Sequence, residues 1–359
     1  MKKLFNIKPK SAYEAITEAQ RIAFAPLVFQ GVRTLRDLGI LAELDSHGDS
    51  GATAEAIATA LDLSLYGVQT LLESGLSAGV VEAIDERRFR LSKVGYFLLH
   101  DQMTRINMDF SHFVCYRGMY HLDEAITDAK PVGLKELGGD WATIYEALPH
   151  LTEPTKSSWY AFDHYYSDLA YPAALQIIFS NKPSTLVDIG ANQGGFSILS
   201  ARHDRSLRIT MIDLPDQIAE AVAFVNQAEL DDRIDAIGMD IRKEEAKLPV
   251  HQDVYWLSQF LSCFSNDEIA PILRRVAAAM NANSRLYILE TCWDRQEHEA
   301  AAFSLVNTSL YFACMANGNS KIYSSEELLN FVKEAGLVCE RFYDHLGNFH
   351  TLFECKIAR

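Results

Sequence analysis

Three acidic residues and a run of glycines are the first places in this chain where chemistry can be read. Asp188-Ile-Gly190-Ala-Asn192-Gln-Gly194-Gly195 follows the apolar stretch 184–190 and precedes the helical stretch 195–203. Glycines between a strand and a helix let the backbone approach a ligand closely, and the helix N-terminus presents free N–H groups. Asp213 closes a second apolar stretch, 208–215, and Asp240 a third, 234–241. A carboxylate at the second strand end can accept hydrogen bonds from both ribose hydroxyls, and one at the third can meet an adenine amino group. Carboxylates at successive strand ends around a glycine turn match the place where open α/β sheets bind nucleotides.

The elements that must hold these residues alternate. Strands are expected at 184–190, 208–215, 234–241, 253–261 and 285–293, with helices at 195–203, 217–230, 267–281 and 324–336; the last opens on a capping-box pattern, Ser324 to Glu327. Two final runs joined by His345-Leu-Gly-Asn348 read as an antiparallel hairpin. Strand–helix alternation predicts a mostly parallel, doubly wound Rossmann-like sheet, here ending in that hairpin. Upstream, residues 12–45 read as helix interrupted near Pro26 and Gly39, Thr53 as the N-cap of a further helix, 64–79 as another helix, and 80–92 as two short strands about Asp85-Glu86. Helix, turn, helix and β-hairpin is the winged-helix order. Residues 100–180 read as mostly helical and rich in aromatics, including Trp141, Tyr145, Trp159, Tyr160 and Tyr171. The domains expected are therefore a mainly α winged-helix domain over 1–105, a helical segment covering the substrate over 106–175, and the nucleotide-binding α/β domain over 176–359.

Bulk properties narrow the function. The chain has 359 residues, enough for two domains, and a formal net charge of -15. That field repels nucleic acid and anionic membrane. Residues 21–100 hold seven Lys/Arg against ten Asp/Glu, and 64–79 hold none but carry Glu73, so the winged helix lacks the cations that DNA reading needs. The six cysteines form no CxxC pair and no metal-ligand spacing, no signal peptide or membrane-length apolar run is present, and a cytoplasmic protein with reduced thiols is expected. Between NAD and S-adenosylmethionine, two features favour the second. Asp188 at the strand end suits the cationic amino-acid portion of S-adenosylmethionine better than a pyrophosphate, and an antiparallel hairpin is not the usual dinucleotide pattern.

Taken together, these motifs resemble the class I S-adenosylmethionine-dependent O-methyltransferases of the two-domain small-molecule kind, typified by plant caffeate and isoflavone enzymes and bacterial natural-product enzymes. The glycine turn matches theirs with Asn192 in place of a glycine, Asp213-Leu214-Pro215 is intact, Gly238-Met239-Asp240 stands for Gly-Gly-Asp, and Thr53-Ala-Glu-Ala-Ile-Ala58 matches a helix of their dimerisation domain. The resemblance implies a homodimer built through the N-terminal domain, a small-molecule acceptor such as a phenol, another hydroxyl or a carboxylate, no nucleic-acid or membrane partner, no metal, and S-adenosyl-L-homocysteine as product. It also implies cofactor contacts from Asp188, Gly190, Asn192, Gly194, Asp213, Leu214, Asp240, Ile241, Ser258 and Tyr166. The match fails at the base. Where the family carries a catalytic histidine, this chain has Ser262, which cannot accept a proton unaided at neutral pH. Glu290 matches one of two carboxylates that flank that histidine, the other falling on Ile322, and the family lysine beside the adenine is Ser258. His164, in Phe162-Asp-His-Tyr-Tyr166, is the substitute base the sequence offers, ahead of His350 and His345. The aromatics of 141–171, with Phe303, Tyr311, Phe312 and Met315, could wall a flat acceptor pocket. Two other outcomes stay open: a different S-adenosylmethionine-dependent reaction, and a non-catalytic binding or regulatory homologue.

Overall fold

The computed structural model describes residues 5, 9–347 and 349–358. The chain folds as two compact units that meet in sequence between Ser111 and His112. Residues 106–175 therefore do not stand apart as a segment: from His112 onward they belong to the unit that holds the large sheet.

The first unit is mainly helical. Helix α1 (Ala12–Asp37) starts at a capping box, Ser11 with Glu14, and α2 (Ile40–His47) follows after Gly39, whose φ of 82° ends one helix and admits the next. The expected interruption at Pro26 does not occur. Proline removes one N–H and its ring crowds the carbonyl four residues back, but the helix around it is exposed, as at Ile22 and Phe24, so no core packing is disturbed. Strand β1 (Ala52–Thr53), helices α3 (Ala54–Leu61) and α4 (Leu65–Ser77) and strands β2 (Val81–Ala83) and β3 (Arg88–Leu91) come next, with Thr53 and Ser64 as N-caps accepting from Ala56 and Gly67 N–H. The three strands pair antiparallel in the order β1-β3-β2. Helices α5 (Lys93–His100) and α6 (Gln102–Phe110) complete the unit. Its core gathers Leu35, Ile40, Leu44, Ile57 and Leu72, all fully buried; each contributes roughly 1.5–3 kcal/mol by leaving water.

The second unit begins with α7 (Leu122–Asp128), α8 (Ile144–Ala147) and the long α9 (Thr155–Phe179), which runs without a break through residue 175. Then come β4 (Thr185–Ile189), α10 (Gly195–His203), β5 (Arg208–Asp213), α11 (Pro215–Gln227), β6 (Ile234–Gly238), β7 (Val254–Ser258), α12 (Asn266–Ala279), β8 (Arg285–Glu290), α13 (Glu299–Tyr311), α14 (Ser325–Glu334), β9 (Leu337–Leu346) and β10 (His350–Ile357). They form one seven-stranded sheet, β6-β5-β4-β7-β8-β10-β9. Pairs from β6 to β8 are parallel; β10 runs antiparallel to both β8 and β9. Of the expected hairpin turn, Asn348 lies outside the described residues.

Side chains alternate between two cores, as the period of a strand requires. On one face Leu186, Met211, Trp256 and Leu289 pack with α9, α10 and α11; on the other Val187, Ile212, Leu257 and Ile288 pack with α12 and α14. This doubly wound arrangement puts the C-terminal ends of β4, β5, β7 and β8 side by side, and the order of strands reverses between β4 and β7. Among the described residues no helix is long and apolar enough to cross a membrane.

Candidate active site

The glycine turn takes the backbone shape its residues were selected for. Gly190 has φ 79° and Gly194 φ 78°, and a Cβ on Gly190 would lie 2.2 Å from the Phe260 ring. Asn192 adopts φ 50°, within reach of asparagine. Its N–H donates to Asp213 Oδ2 at 2.8 Å, and Leu214 N–H donates to Asp213 Oδ1 at 2.7 Å. The turn and the end of β5 are thereby tied, with lone pairs left on both oxygens of Asp213. Burial outweighs those two bonds and raises Asp213 to about 6.

Asp188 is placed differently from what its position suggests. It is 3% exposed, and its Oδ2 accepts from Ser197 Oγ at 2.6 Å. It staples the first turn of α10 to the end of β4, beneath the turn. Burial pushes it up to about 7, Ser197 opposes, and the Asp213 charge adds to the rise. Asp240, two residues beyond β6, is forked by Arg242 through Nε and NH2, both at 2.9 Å. There burial favours the acid, the arginine outweighs it, and the carboxyl stays below its usual range. Ile241 beside it is buried.

Asp163, on α9, was not singled out by the sequence. Its Oδ2 accepts from Asn192 Nδ2 at 2.9 Å and its Oδ1 from Gln259 Nε2 at 3.3 Å. Gln259, one residue past Ser258 and the end of β7, meets His350 Nε2 through its Oε1 at 3.0 Å. His350 is fully buried and burial lowers it to about 3, so it is neutral. Its Nε2–H then donates to the glutamine oxygen, which fixes the amide with its N–H toward Asp163. Asp163 rises to about 6, through burial first, with His164 opposing and Asp168 adding. Asn192 Oδ1 is buried without a partner.

Of the residues expected to do acid–base work, Glu290 and Ser262 meet through a hydrogen bond, and His164 stands on α9. His164 lies against the Tyr160 ring, centroids 5.7 Å apart, and Tyr160 donates through its hydroxyl to Glu220 on α11 at 3.2 Å. Glu290, at the end of β8, is 3% exposed; its Oε1 accepts from Leu261 N–H at 2.7 Å and Ser262 N–H at 3.4 Å. It holds the short helical turn Leu261–Cys263 in place, and burial lifts it to about 7 against those bonds. Ser262 is buried. Tyr166 packs among Phe162, Tyr165 and Phe349. Around Cys263 stand Tyr145, hydrogen-bonded to its thiol, and Tyr311, whose hydroxyl accepts from Trp159 Nε1 at 2.8 Å. Burial raises both tyrosines and Cys263, so this wall is made of neutral O–H, N–H and S–H groups. Among the described residues no cluster of His, Cys, Asp or Glu could hold a metal ion.

Comparison with known proteins meets this geometry. Residues 17–89 match the model of the Dimerisation2-like domain, and 163–338 match that of the O-methyltransferase domain. An L-tyrosine C(3)-methyltransferase of Streptomyces lavendulae is 22% identical over 324 residues, 89% of this chain and 86% of that protein. The solved structure of the S-adenosylmethionine-dependent methyltransferase SibL superposes with a TM-score of 0.72 at 20% identity, over 96% of this chain and all of that one. The Mitomycin 7-O-methyltransferase MmcR does so with a TM-score of 0.70 at 20% identity, over 96% and 98%. The two structures establish the fold, and the two matched models assign its parts: the chain joins an N-terminal Dimerisation2-like domain to an O-methyltransferase domain and belongs to the methyltransferases so built.

Proposed function

We propose that this enzyme moves a methyl group from S-adenosylmethionine to an oxygen of a flat aromatic small molecule, a phenol or an aromatic carboxylate. The observation that carries the reading is electrostatic. Asp163, Asp188 and Asp213 surround one glycine turn, all three raised by burial, and among the described residues no Lys or Arg pairs with any of them. Buried carboxylates without a cation are costly, and a cationic ligand offsets that cost. A dinucleotide would bring a pyrophosphate into the same field. The orphaned Asn192 Oδ1 is a further acceptor waiting for a donor.

When bound, S-adenosylmethionine supplies a methyl group already activated on a sulfonium. The chain's own residues then bind and align. Asp213 and Leu214 take the ribose, Asp240 and Ile241 the adenine with Ser258 beside it, Gly190 and Gly194 allow close approach, Asn192 and Asp163 face the charged end, and Tyr166 flanks it. Asp188 supports the turn from below. Tyr145, Trp159, Tyr311 and Cys263 give the acceptor apolar walls with donor groups at their tips. The relative that methylates a tyrosine ring carbon makes product analysis part of the test. We further propose a winged-helix N-terminal unit that dimerises and makes no nucleic-acid contact, in a cytoplasmic protein.

The deciding measurement is calorimetric titration with S-adenosylmethionine, S-adenosylhomocysteine and NAD, followed by a panel of phenols, aromatic acids and amines. Binding of both sulfur compounds without NAD, and methyl found on oxygen, is the expected result. NAD binding alone would remove the reading; donor binding with no product from any acceptor would leave a binding protein.

A further inference from the structure

We propose that Asp163 is the general base of methyl transfer, in place of the histidine that Ser262 replaces. This rests on the O-methylation reading above. The carboxyl spans both halves of the site. One oxygen is held by Asn192 of the cofactor turn at 2.9 Å, the other by Gln259, three residues before Ser262, at 3.3 Å. Its charge is felt by Tyr145, Cys263 and Tyr311 of the acceptor wall, so it lies within electrostatic reach of the groups an acceptor would meet. Each oxygen keeps a lone pair beyond the bond it accepts.

The other candidates are engaged elsewhere. His164 packs on Tyr160, on the side of α9 that meets Glu220. Glu290 is committed to the backbone N–H groups of the Leu261–Cys263 turn and to the Ser262 hydroxyl. His350 is buried, neutral and turned to Gln259, where it acts as a positioning residue for the amide that holds Asp163.

The step balances. The acceptor O–H gives its proton to an oxygen of Asp163; the electron pair left on the acceptor oxygen forms the new O–CH3 bond as the bond from methyl to sulfur breaks and leaves its pair on sulfur. Asp163 then returns the proton to water. A base is most effective when its pKa lies near the working pH, and burial raises Asp163 to about 6. The groups facing it are His164, Asp168 and Tyr171 on its own helix, Asn192 on the turn, Gln259 backed by His350, and Tyr145, Cys263 and Tyr311 opposite.

The test compares Asp163→Asn and Asp163→Glu with wild type. The expected pattern is a 100-fold or greater fall in kcat for Asp163→Asn, in the range of lost general-base catalysis of about 10²–10⁴. Because Asp163 also faces the ligand's charged end, S-adenosylhomocysteine affinity should fall in calorimetry, but by far less than the rate; the acidic limb of the kcat/KM profile should vanish, and Asp163→Glu should recover part of the rate. A difference infrared titration of the ligand-free protein should show buried carboxyls, Asp163 and Asp213, titrating near pH 6 in wild type, with that signal reduced by one carboxyl in Asp163→Asn and by none in Asp163→Glu. An unchanged acidic limb would overturn the proposal, and so would a loss of S-adenosylhomocysteine affinity as large as the loss of rate, which would make Asp163 a cofactor ligand. A wild type that binds the donor yet methylates no hydroxyl fails at the underlying reading instead.

Discussion

The two sides of the site are built from opposite electrostatics. The side formed by the ends of β4 and β5 and by α9 gathers Asp163, Asp188 and Asp213, each raised by burial. The side formed by Leu261–Cys263, Tyr145 and Tyr311 offers hydroxyls and a thiol that burial keeps neutral. The first side is costly to fold empty and gains from a cation. The second costs little to desolvate and gives an acceptor shape and hydrogen-bond donors without charge. Binding energy and chemistry are thus divided: charge recognition belongs to the cofactor side, and the acceptor wall is left to align.

The largest effect on this division should come from its narrowest point. Gly190→Ala places a Cβ 2.2 Å from Phe260 at φ 79°. Left-handed strain and overpacking together predict a loss of about 2–4 kcal/mol in stability, read as a lower Tm and denaturant midpoint. An unchanged Tm would mean that the turn is freer than its geometry implies, and that the two sides are not held in fixed register.

Next in size is Asp213→Ala. It removes a charged acceptor and leaves Asn192 and Leu214 N–H without their partner, so the affinity for S-adenosylmethionine should weaken by about 1.5–3 kcal/mol. Ser262→Ala on the opposite side should leave that affinity unchanged. Equal losses from both would dissolve the distinction.

The same asymmetry was only half legible in the sequence. Strands β4 to β10 could be read because apolar residues feed two cores in alternation, and the ends of β4 and β5 follow from where those runs stop. Ser324 and Glu327 announced the start of α14 and do cap it. Asp163 could not be placed from its neighbours: it lies 29 residues before Asn192, on a helix whose aromatic surroundings read as packing. An asparagine where the related enzymes keep a glycine was one available signal, since a side chain at that point needs a partner, and the place of Asp163 in Phe162-Asp-His-Tyr-Tyr166 was another. Pro26 misled because a proline costs a helix one hydrogen bond and some crowding, which the 26-residue α1 carries without ending. Asp188 was visible as a strand-end acid, but its direction is decided by Ser197, in the first turn of the following helix α10.

Protonation offers a smaller, graded test. Asp188 is raised in the fold to about 7 from an ordinary 3.8, so its protonated form favours the native state. Its contribution is complete below pH 3.8 and is lost as pH rises through 7. Asp213 follows the same sign up to about 6. Ligand-free protein should therefore lose stability from these groups between about pH 4 and pH 7, and Asp188→Asn should flatten the slope. A cationic ligand favours the ionised forms, so the Tm gain on adding S-adenosylmethionine should grow with pH over the same interval. A gain that is flat with pH would show that the carboxylates do not face the ligand's charge.

The smallest effect is expected where the family keeps its histidine. Ser262 is buried and has no proton-accepting group of suitable pKa, and Glu290 holds both its backbone N–H and its hydroxyl. Ser262→Ala keeps that N–H and should lower kcat by less than five-fold. Glu290→Gln keeps an acceptor for Leu261 and Ser262 N–H and should likewise cost less than ten-fold in kcat, whereas loss of a general base costs about 10²–10⁴. Glu290→Ala, which leaves those two buried N–H groups unmet, should instead lower stability by about 1–3 kcal/mol with the pH profile unchanged. If Glu290→Gln abolishes the acidic limb of kcat/KM, proton removal belongs to the acceptor wall after all, and the neutral character assigned to that side is wrong.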